Sequence, residues 1–407
     1  MIKKIALYIV VFIAMIALFS SLMLLIYCIP TSAVINNVND SLSIIENEGE
    51  YHILFANVKM DNFTDRIMIN RNAFTGDNPL VEAFNNLDYN RYWHGYMIFL
   101  RPLLLICSIK SIRIINTVVF FVLFIVLAYL LYKKLNLRTL FAFVFAIISV
   151  GFFVIPLSLQ FQTVFIVTFV FSIILLCMKD HETNDKIPLA FLTVGMITNF
   201  LDFLTVPVIT LGIPLTIYML MIIKDGGVDR KKNIKKAIFV IVLWFLGYGL
   251  CWISKWALAS LVLKENVFDT AIKAIFFRTA GSAEYSGNPI FAVGANVGLL
   301  FYQVIPYSIL MLIVLVVLVI IRIKFKNVKF GLGKLSLIFW LIGIIPYCWY
   351  LVLANHSFWH SWFTFRAQAV TIFSVSAVLL WNTDVEKFTA YIKKKLRRKS
   401  VKVTEKE

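Results

Sequence analysis

Apolar runs of bilayer length, separated by short polar breaks, fill almost all of this chain. The first covers residues 5–29 behind Lys3 and Lys4, and later runs centre near residues 120, 148, 170, 195, 214, 247, 311, 343 and 373. A helix needs about 20 apolar residues to cross hydrocarbon, so the pattern predicts an all-α polytopic membrane protein of about ten transmembrane helices. One long stretch breaks the rhythm. Residues 30–108 are largely polar and are expected to form a first extracytoplasmic loop carrying interfacial helices. Within it, residues 96–109 are apolar but interrupted by Arg101 and Pro102, which reads as an interfacial or re-entrant helix. The spans around NFLDFLTVP are short and followed by Pro207 and Pro214, so they are expected to bend near the outer face. No repeat is visible at the level of motifs. The expected organisation is one membrane-embedded unit over residues 1–386 and a basic cytoplasmic tail over residues 387–407.

Composition excludes a water-soluble globule: of 407 residues 60% are hydrophobic and 15% charged, with a mean hydropathy of +0.86. The formal net charge of +17 would suit a nucleic-acid partner. Its distribution argues against one, because the basic residues crowd every second loop, as cytoplasmic loops require. These clusters are Lys133, Lys134 and Arg138; Lys179 and Lys186; Arg230, Lys231, Lys232, Lys235 and Lys236; Arg322, Lys324, Lys326 and Lys329; and the tail from Lys387. The expected location is the cell membrane, multi-pass, with both termini cytoplasmic. The opposite set then faces outward: residues 30–108, SLQFQ near 160, NFLDFLT near 202, residues 260–298, and NHSFWHSWFTFR from 355. The first run is longer than a signal-peptide core and is read as an uncleaved span. The sequence LIYC ending at Cys28 mimics a lipoprotein box, but Tyr27 is too bulky for processing. Five cysteines without a CxxC pair indicate neither a disulfide framework nor a zinc site.

The candidate chemistry falls on the outward set. Asp61 and Asp65 in DNFTDR are four apart, so one helical face would carry both carboxylates, a base and a partner that orients it. The plainer reading is that Asp61 or Asn62 caps a helix with Asp65 in its first turn. His94 and Arg101 are two turns apart; Arg101 would grip phosphate or snorkel to headgroups. Asp202 in NFLDFLT and Lys255 in CWISKW are charges near hydrocarbon that call for a partner or a function, with snorkelling the alternative for Lys255. His356 and His360 share a helical face but lack the glutamate of a zinc motif, so hydrogen bonding to sugar or phosphate is favoured. Arg366 is a phosphate candidate, and most neighbouring aromatics suit the ordinary interfacial belt. Sequons at Asn62 and Asn355 lie inside these motifs, hard against the membrane, where glycosylation is not expected.

In this arrangement the chain resembles the membrane-embedded GT-C glycosyltransferases. The likeness is one of topology along most of the chain, carried by DNFTDR in the first outward loop, with YWHGY, LRPLL, NFLDFLT and NHSFWHSWFTFR as accompanying clusters. The first span lies further from Asp61 than is common in that family, and no large C-terminal soluble domain follows. The resemblance implies transfer of a sugar from a polyprenyl-phosphate donor to an extracytoplasmic glycan or cell-wall polymer. On that expectation Asp65 is the general base, with Asp61 assisting or, with Asp65, holding a divalent cation such as Mg or Mn. Arg101, Lys255 and Arg366 would take the donor phosphate; His94, Asp202, His356 and His360 would position substrate. A transporter or lipid flippase is the competing class, since charged residues and broken helices mark those too. One-sided polar clusters and the lack of a repeat favour the enzyme. A Wzy-like polysaccharide polymerase using a lipid diphosphate is the third reading.

Overall fold

In a computed structural model the described residues are 2–302 apart from 56, 57, 75 and 283–285, residues 335–384, and parts of 309–321 and 387–394. They are almost entirely helical. The chain begins with the long apolar helix α1 (Ile2–Tyr27), and Pro30 then leads into α2 (Thr31–Glu48). A two-stranded antiparallel hairpin, β1 (Ile53–Phe55) and β2 (Val58–Lys59), delivers the chain to α3 (Asn62–Asn70). Two short helices follow, α4 (Pro79–Asn85) and α5 (Met97–Leu104), the second holding Pro102. Then come α6 (Ile109–Lys134), α7 (Leu137–Ser149), α8 (Leu159–Cys177), α9 (Lys186–Leu201), α10 (Ile209–Lys224) and α11 (Arg230–Leu263). The remainder is α12 (Val267–Ala280), α13 (Pro289–Tyr302), α14 (Ser336–Val352), the short α15 (Ala354–Trp359) and α16 (Ser361–Thr364), and α17 (Ala369–Trp381).

The all-α expectation is met, whereas helix length separates the expected spans into two groups. Among the described residues, five segments are at least 18 residues long and apolar: α1 from Lys3, α6, α8, α11 and the run Ser361–Trp381. The helices α7, α9, α10, α13 and α14 fall between 10 and 17 residues, short of the usual crossing length. Residues 260–298, expected as an outward loop, instead hold α12 and most of α13. The run near 311 is largely outside the described residues, as are the Arg322 cluster and most of the tail.

Helix α10 is the hub. It is apolar on every face and buried from Ile209 to Ile223, as a helix surrounded by others must be; α8, α14 and α17 pack around it. Helix α11 lies along α9, and the crossing is glycine-lined. A Cβ on Gly195 would strike the Trp244 carbonyl, and one on Gly247 the Leu192 carbonyl, so close approach and dispersion hold this pair.

A second apolar cluster fixes the polar segment to the bundle. Phe19 of α1 stacks on Phe200 of α9 with centroids 4.1 Å apart, and Trp93, Met97 and Leu100 join them. Polar bonds set the register. Arg113 of α6 donates to Glu48 at 2.9 Å and to Asn62 Oδ1 at 2.8 Å, while Asn62 Nδ2 donates to Gly49 O at 2.8 Å. Both sequon asparagines are buried with committed amide nitrogens, Asn355 donating to Phe277 O at 2.8 Å.

Candidate functional site

Asp61 is the N-cap of α3, accepting from the Thr64 N–H at 3.0 Å and the Thr64 hydroxyl at 2.9 Å. The capping reading of DNFTDR therefore holds for this residue. Its surroundings exceed what a cap needs, since the Trp362 indole and the Arg366 charge both act on the carboxylate. Burial raises the Asp61 pKa, and the bonds to Thr64 and Trp362 together with Arg366 oppose that rise. Tyr51 packs with its ring edge-on to Trp362 at 5.9 Å, and Asp61 is fully buried.

Asp65 has a different duty. Oδ1 accepts from the Ser158 hydroxyl at 3.0 Å and Gln160 N–H at 3.3 Å, while Oδ2 accepts from Leu159 N–H at 3.1 Å. These donors are the buried N-terminal end of α8, whose own N-cap side chain makes no capping bond. A carboxylate there satisfies otherwise orphaned N–H groups and meets the positive end of the helix. Burial pushes the Asp65 pKa up to about 7, against the Arg113 charge and with help from Asp61. The two acids thus stand on one turn as their spacing predicts, but Asp65 anchors α8 with both oxygens. Among the described residues no group of three or more His, Cys, Asp or Glu is placed to hold a metal ion. With their oxygens turned to N–H and O–H donors, Asp61 and Asp65 do not form a cation cage.

Arg366 completes this region. It is 1% exposed and donates from Nη1 to the Trp362 carbonyl at 3.0 Å, with its guanidinium 3.9 Å from the Phe161 ring centroid. Nε and Nη2, the edge that grips a carboxylate or phosphate side-on, are buried without a hydrogen-bond partner. Gly151 faces Nη2 with bare backbone; even a methyl group there would come within 3.9 Å. On the far side of the first turn of α8, Leu159 and Gln162 line an apolar cavity of about 300 Å³. Phe99 and Leu103 of α5, Ile115 and Val119 of α6 and Ile166 of α8 form its walls, with Asn116 and Thr163 as polar points.

His356 and Asp202 lie around a neighbouring cluster. Arg278 Nη1 can only donate, so the 2.7 Å contact makes His356 Nδ1 the acceptor. His356 Nε2 then carries the proton and donates to Leu204 O at 2.9 Å. Both ring nitrogens are spent and the ring is neutral: burial, then the Arg278 charge, hold its pKa well below the usual histidine range. His360 stands 4.7 Å from His356 and 5.0 Å from Trp362, centroid to centroid, so a chain of rings connects Arg278 to Asp61. Asp202 accepts from Thr205 N–H at 3.0 Å, and burial pushes its pKa up to about 7 against those bonds.

The structure does not bring His94, Arg101 and Lys255 to the Arg366 edge. Arg101 donates to Asn72 O at 2.6 Å and Ile29 O at 2.7 Å, pinning the polar segment rather than reaching headgroups. Lys255 donates to Phe84 O at 3.0 Å and Ala83 O at 3.3 Å, capping the C-terminal end of α4. His94 Nε2 donates to Tyr89 O at 3.0 Å from a left-handed backbone with φ 56°. Its neighbour must be glycine, because a Cβ on Gly95 would collide with Phe200 O. Arg113 and Arg278 were not singled out from the sequence. Their signal was an arginine at the end of an apolar run, the same signal that marked Lys255.

No protein-family model, curated protein or solved structure matches this chain.

Proposed function

We propose that the chain is a GT-C-like membrane glycosyltransferase, moving a sugar from a polyprenyl-phosphate donor to a glycan or cell-wall polymer acceptor outside the cytoplasm. The observation that carries this reading is the free Nε–Nη2 edge of Arg366, buried beside the Asp61 carboxylate. A buried guanidinium edge without a partner is costly, and an anion that arrives with substrate relieves the cost. In this reading Arg366 takes the donor phosphate. Asp61 takes the proton of the acceptor hydroxyl, whose oxygen bonds to the anomeric carbon as the carbon–phosphate-oxygen bond breaks with inversion. The electron pair leaves on the phosphate, where Arg366 stabilises the growing charge. Asp61, with its pKa raised by burial, is a better base than a solvated aspartate. The role of base thereby moves from Asp65 to Asp61, and Asp65 becomes a positioning residue through α8. The cavity beside α8 suits the prenyl chain, its apolar walls lying one helical turn from Phe161.

Our topology keeps about ten crossings with both termini cytoplasmic. If only the five long helices crossed, the two termini would lie on opposite sides and the basic tail would face outward, against the charge rule. Helix α10, buried among α8, α14 and α17, must share their depth despite its 16 residues.

The test is transfer of labelled sugar from a synthetic polyprenyl-phosphate donor in proteoliposomes. Asp61→Asn keeps an N-cap acceptor for Thr64, so it should insert and fold while losing transfer; retained transfer would remove the assignment of the base. If the wild type leaves the donor untouched and a labelled lipid or solute crosses instead, the transporter reading replaces this one.

A further inference from the structure

A second recess, away from the Arg366 edge, has no part in the transfer scheme. Arg91 and Tyr92 enter it from the polar segment, and Trp252 and Trp256, one turn apart, from α11. Helix α12 supplies the third wall through Ala271, Ala274, Ile275 and Arg278, spaced three, four and seven residues apart along one face. The two alanines leave the wall thin, so that both guanidinium groups border the same space. The enclosed part holds about 10 Å³, room for one water-sized group.

Its charge is unbalanced. Among the described residues neither Arg91 nor Arg278 has a carboxylate within ion-pair distance. Glu265, near in space, accepts from the Asn90 side chain at 2.6 Å instead. Arg91 Nε is buried and without a hydrogen-bond partner. The arginine is nonetheless held in place: its guanidinium lies 4.0 Å from the Tyr89 ring centroid, and Trp256 Nε1 donates to its carbonyl at 2.9 Å. Arg278 is steadied by His356 Nδ1 and by the Tyr89 hydroxyl. Tyr92 and Trp252 meet edge-on at 5.7 Å, and Trp252 and Trp256 lie 5.8 Å apart.

We propose that this recess recognises a phosphate group carried on a small polyol or sugar. One oxygen enters between the two guanidinium groups, and the carbon skeleton rests on the half-buried ring of Trp252, the Tyr92 and Trp256 rings being buried. Two preorganised arginines match phosphate oxygens, and aromatic faces match the C–H surface of a polyol. The chemistry is shared by a phosphorylated glycan and by an anionic lipid headgroup such as glycerol phosphate. The site stands whether or not sugar transfer is the reaction, because its arginines are outside the Asp61 and Arg366 machinery.

The experiment uses the full chain in phosphatidylcholine nanodiscs, without donor, and follows tryptophan fluorescence during titration with glycerol 3-phosphate. A second arm replaces part of the lipid with phosphatidylglycerol. A saturable change that weakens with salt is expected in at least one arm: in the first for a soluble phosphate ligand, in the second alone for a lipid headgroup. Arg91→Gln and Arg278→Gln should each weaken it about tenfold, the loss of one charge-assisted contact, and Arg366→Met should leave it intact. Arg91→Gln is the decisive variant should Arg278→Gln, which disturbs His356, fail to fold. No saturable change in either arm, or saturation indifferent to Arg91→Gln, overturns the proposal.

Discussion

Arg366→Met should raise stability while abolishing transfer, a combination that a structural arginine cannot give. The side chain is 1% exposed, and methionine fills a similar space without charge. The substitution forfeits the Nη1 bond to the Trp362 carbonyl and the stacking on Phe161, together about 2 kcal/mol. It relieves two buried, unpaired donors at Nε and Nη2, at about 1–3 kcal/mol each, along with the desolvated charge. The balance is a gain of about 0–4 kcal/mol, before Asp61 loses the Arg366 charge that opposes its pKa rise, and is comparable with the range seen when buried ion pairs are replaced by apolar side chains. The assay is equilibrium unfolding in mixed detergent micelles, paired with the proteoliposome transfer reaction. Arg101→Met is the control: its guanidinium donates to Asn72 O and Ile29 O, and losing it should cost about 3 kcal/mol. Destabilisation by Arg366→Met as large as that of Arg101→Met would mean that Arg366 is a strut, and the phosphate role would fall.

Asp65→Asn should change how stability depends on pH. With a folded pKa raised to about 7, wild-type Asp65 binds more protons folded than unfolded between its ordinary carboxylate range and pH 7, so its contribution falls as pH rises, by about 1.4 kcal/mol per pH unit. His94, His356 and His360, all with lowered pKa values, act in the opposite sense below pH 6.5. The measurement is therefore the difference between variant and wild type at pH 5 and pH 8, and an unchanged difference would contradict the buried-anchor account. Lys255→Met removes the donors to the α4 carbonyls; about 2 kcal/mol of stability should go with them, while the transfer rate per folded molecule stays as in wild type. Gly247→Leu places a side chain against the Leu192 carbonyl, so α9 and α11 should separate and folding yield in membranes should collapse.

Hydropathy alone was enough to anticipate an almost wholly helical chain with several long apolar helices and a polar segment after the first run, because long apolar runs advertise themselves in sequence. It also marked most of the charges that matter, since a charge near hydrocarbon is conspicuous. What each charge does was decided by the tertiary structure. Asp61 and Asp65 look equivalent in DNFTDR, yet one faces Arg366 and the other closes the end of α8, a helix more than ninety positions away. Arg101, Lys255 and Arg366 carry the same sequence signal, but the terminal nitrogens of the first two are all spent on backbone carbonyls, whereas Arg366 bonds the Trp362 carbonyl through Nη1 and leaves Nη2 with Nε unpaired. Hydrogen-bond supply is a property of whichever segment arrives opposite, which local pattern cannot encode. Helix length behaved likewise: the sequence marked apolar runs, but where α9 stops and α10 starts was set by the turn at Asp202 and Thr205. The pairing of Arg278 with His356, and of Arg91 with Arg278 around one recess, joins residues from three separate segments and exists only once the bundle has packed.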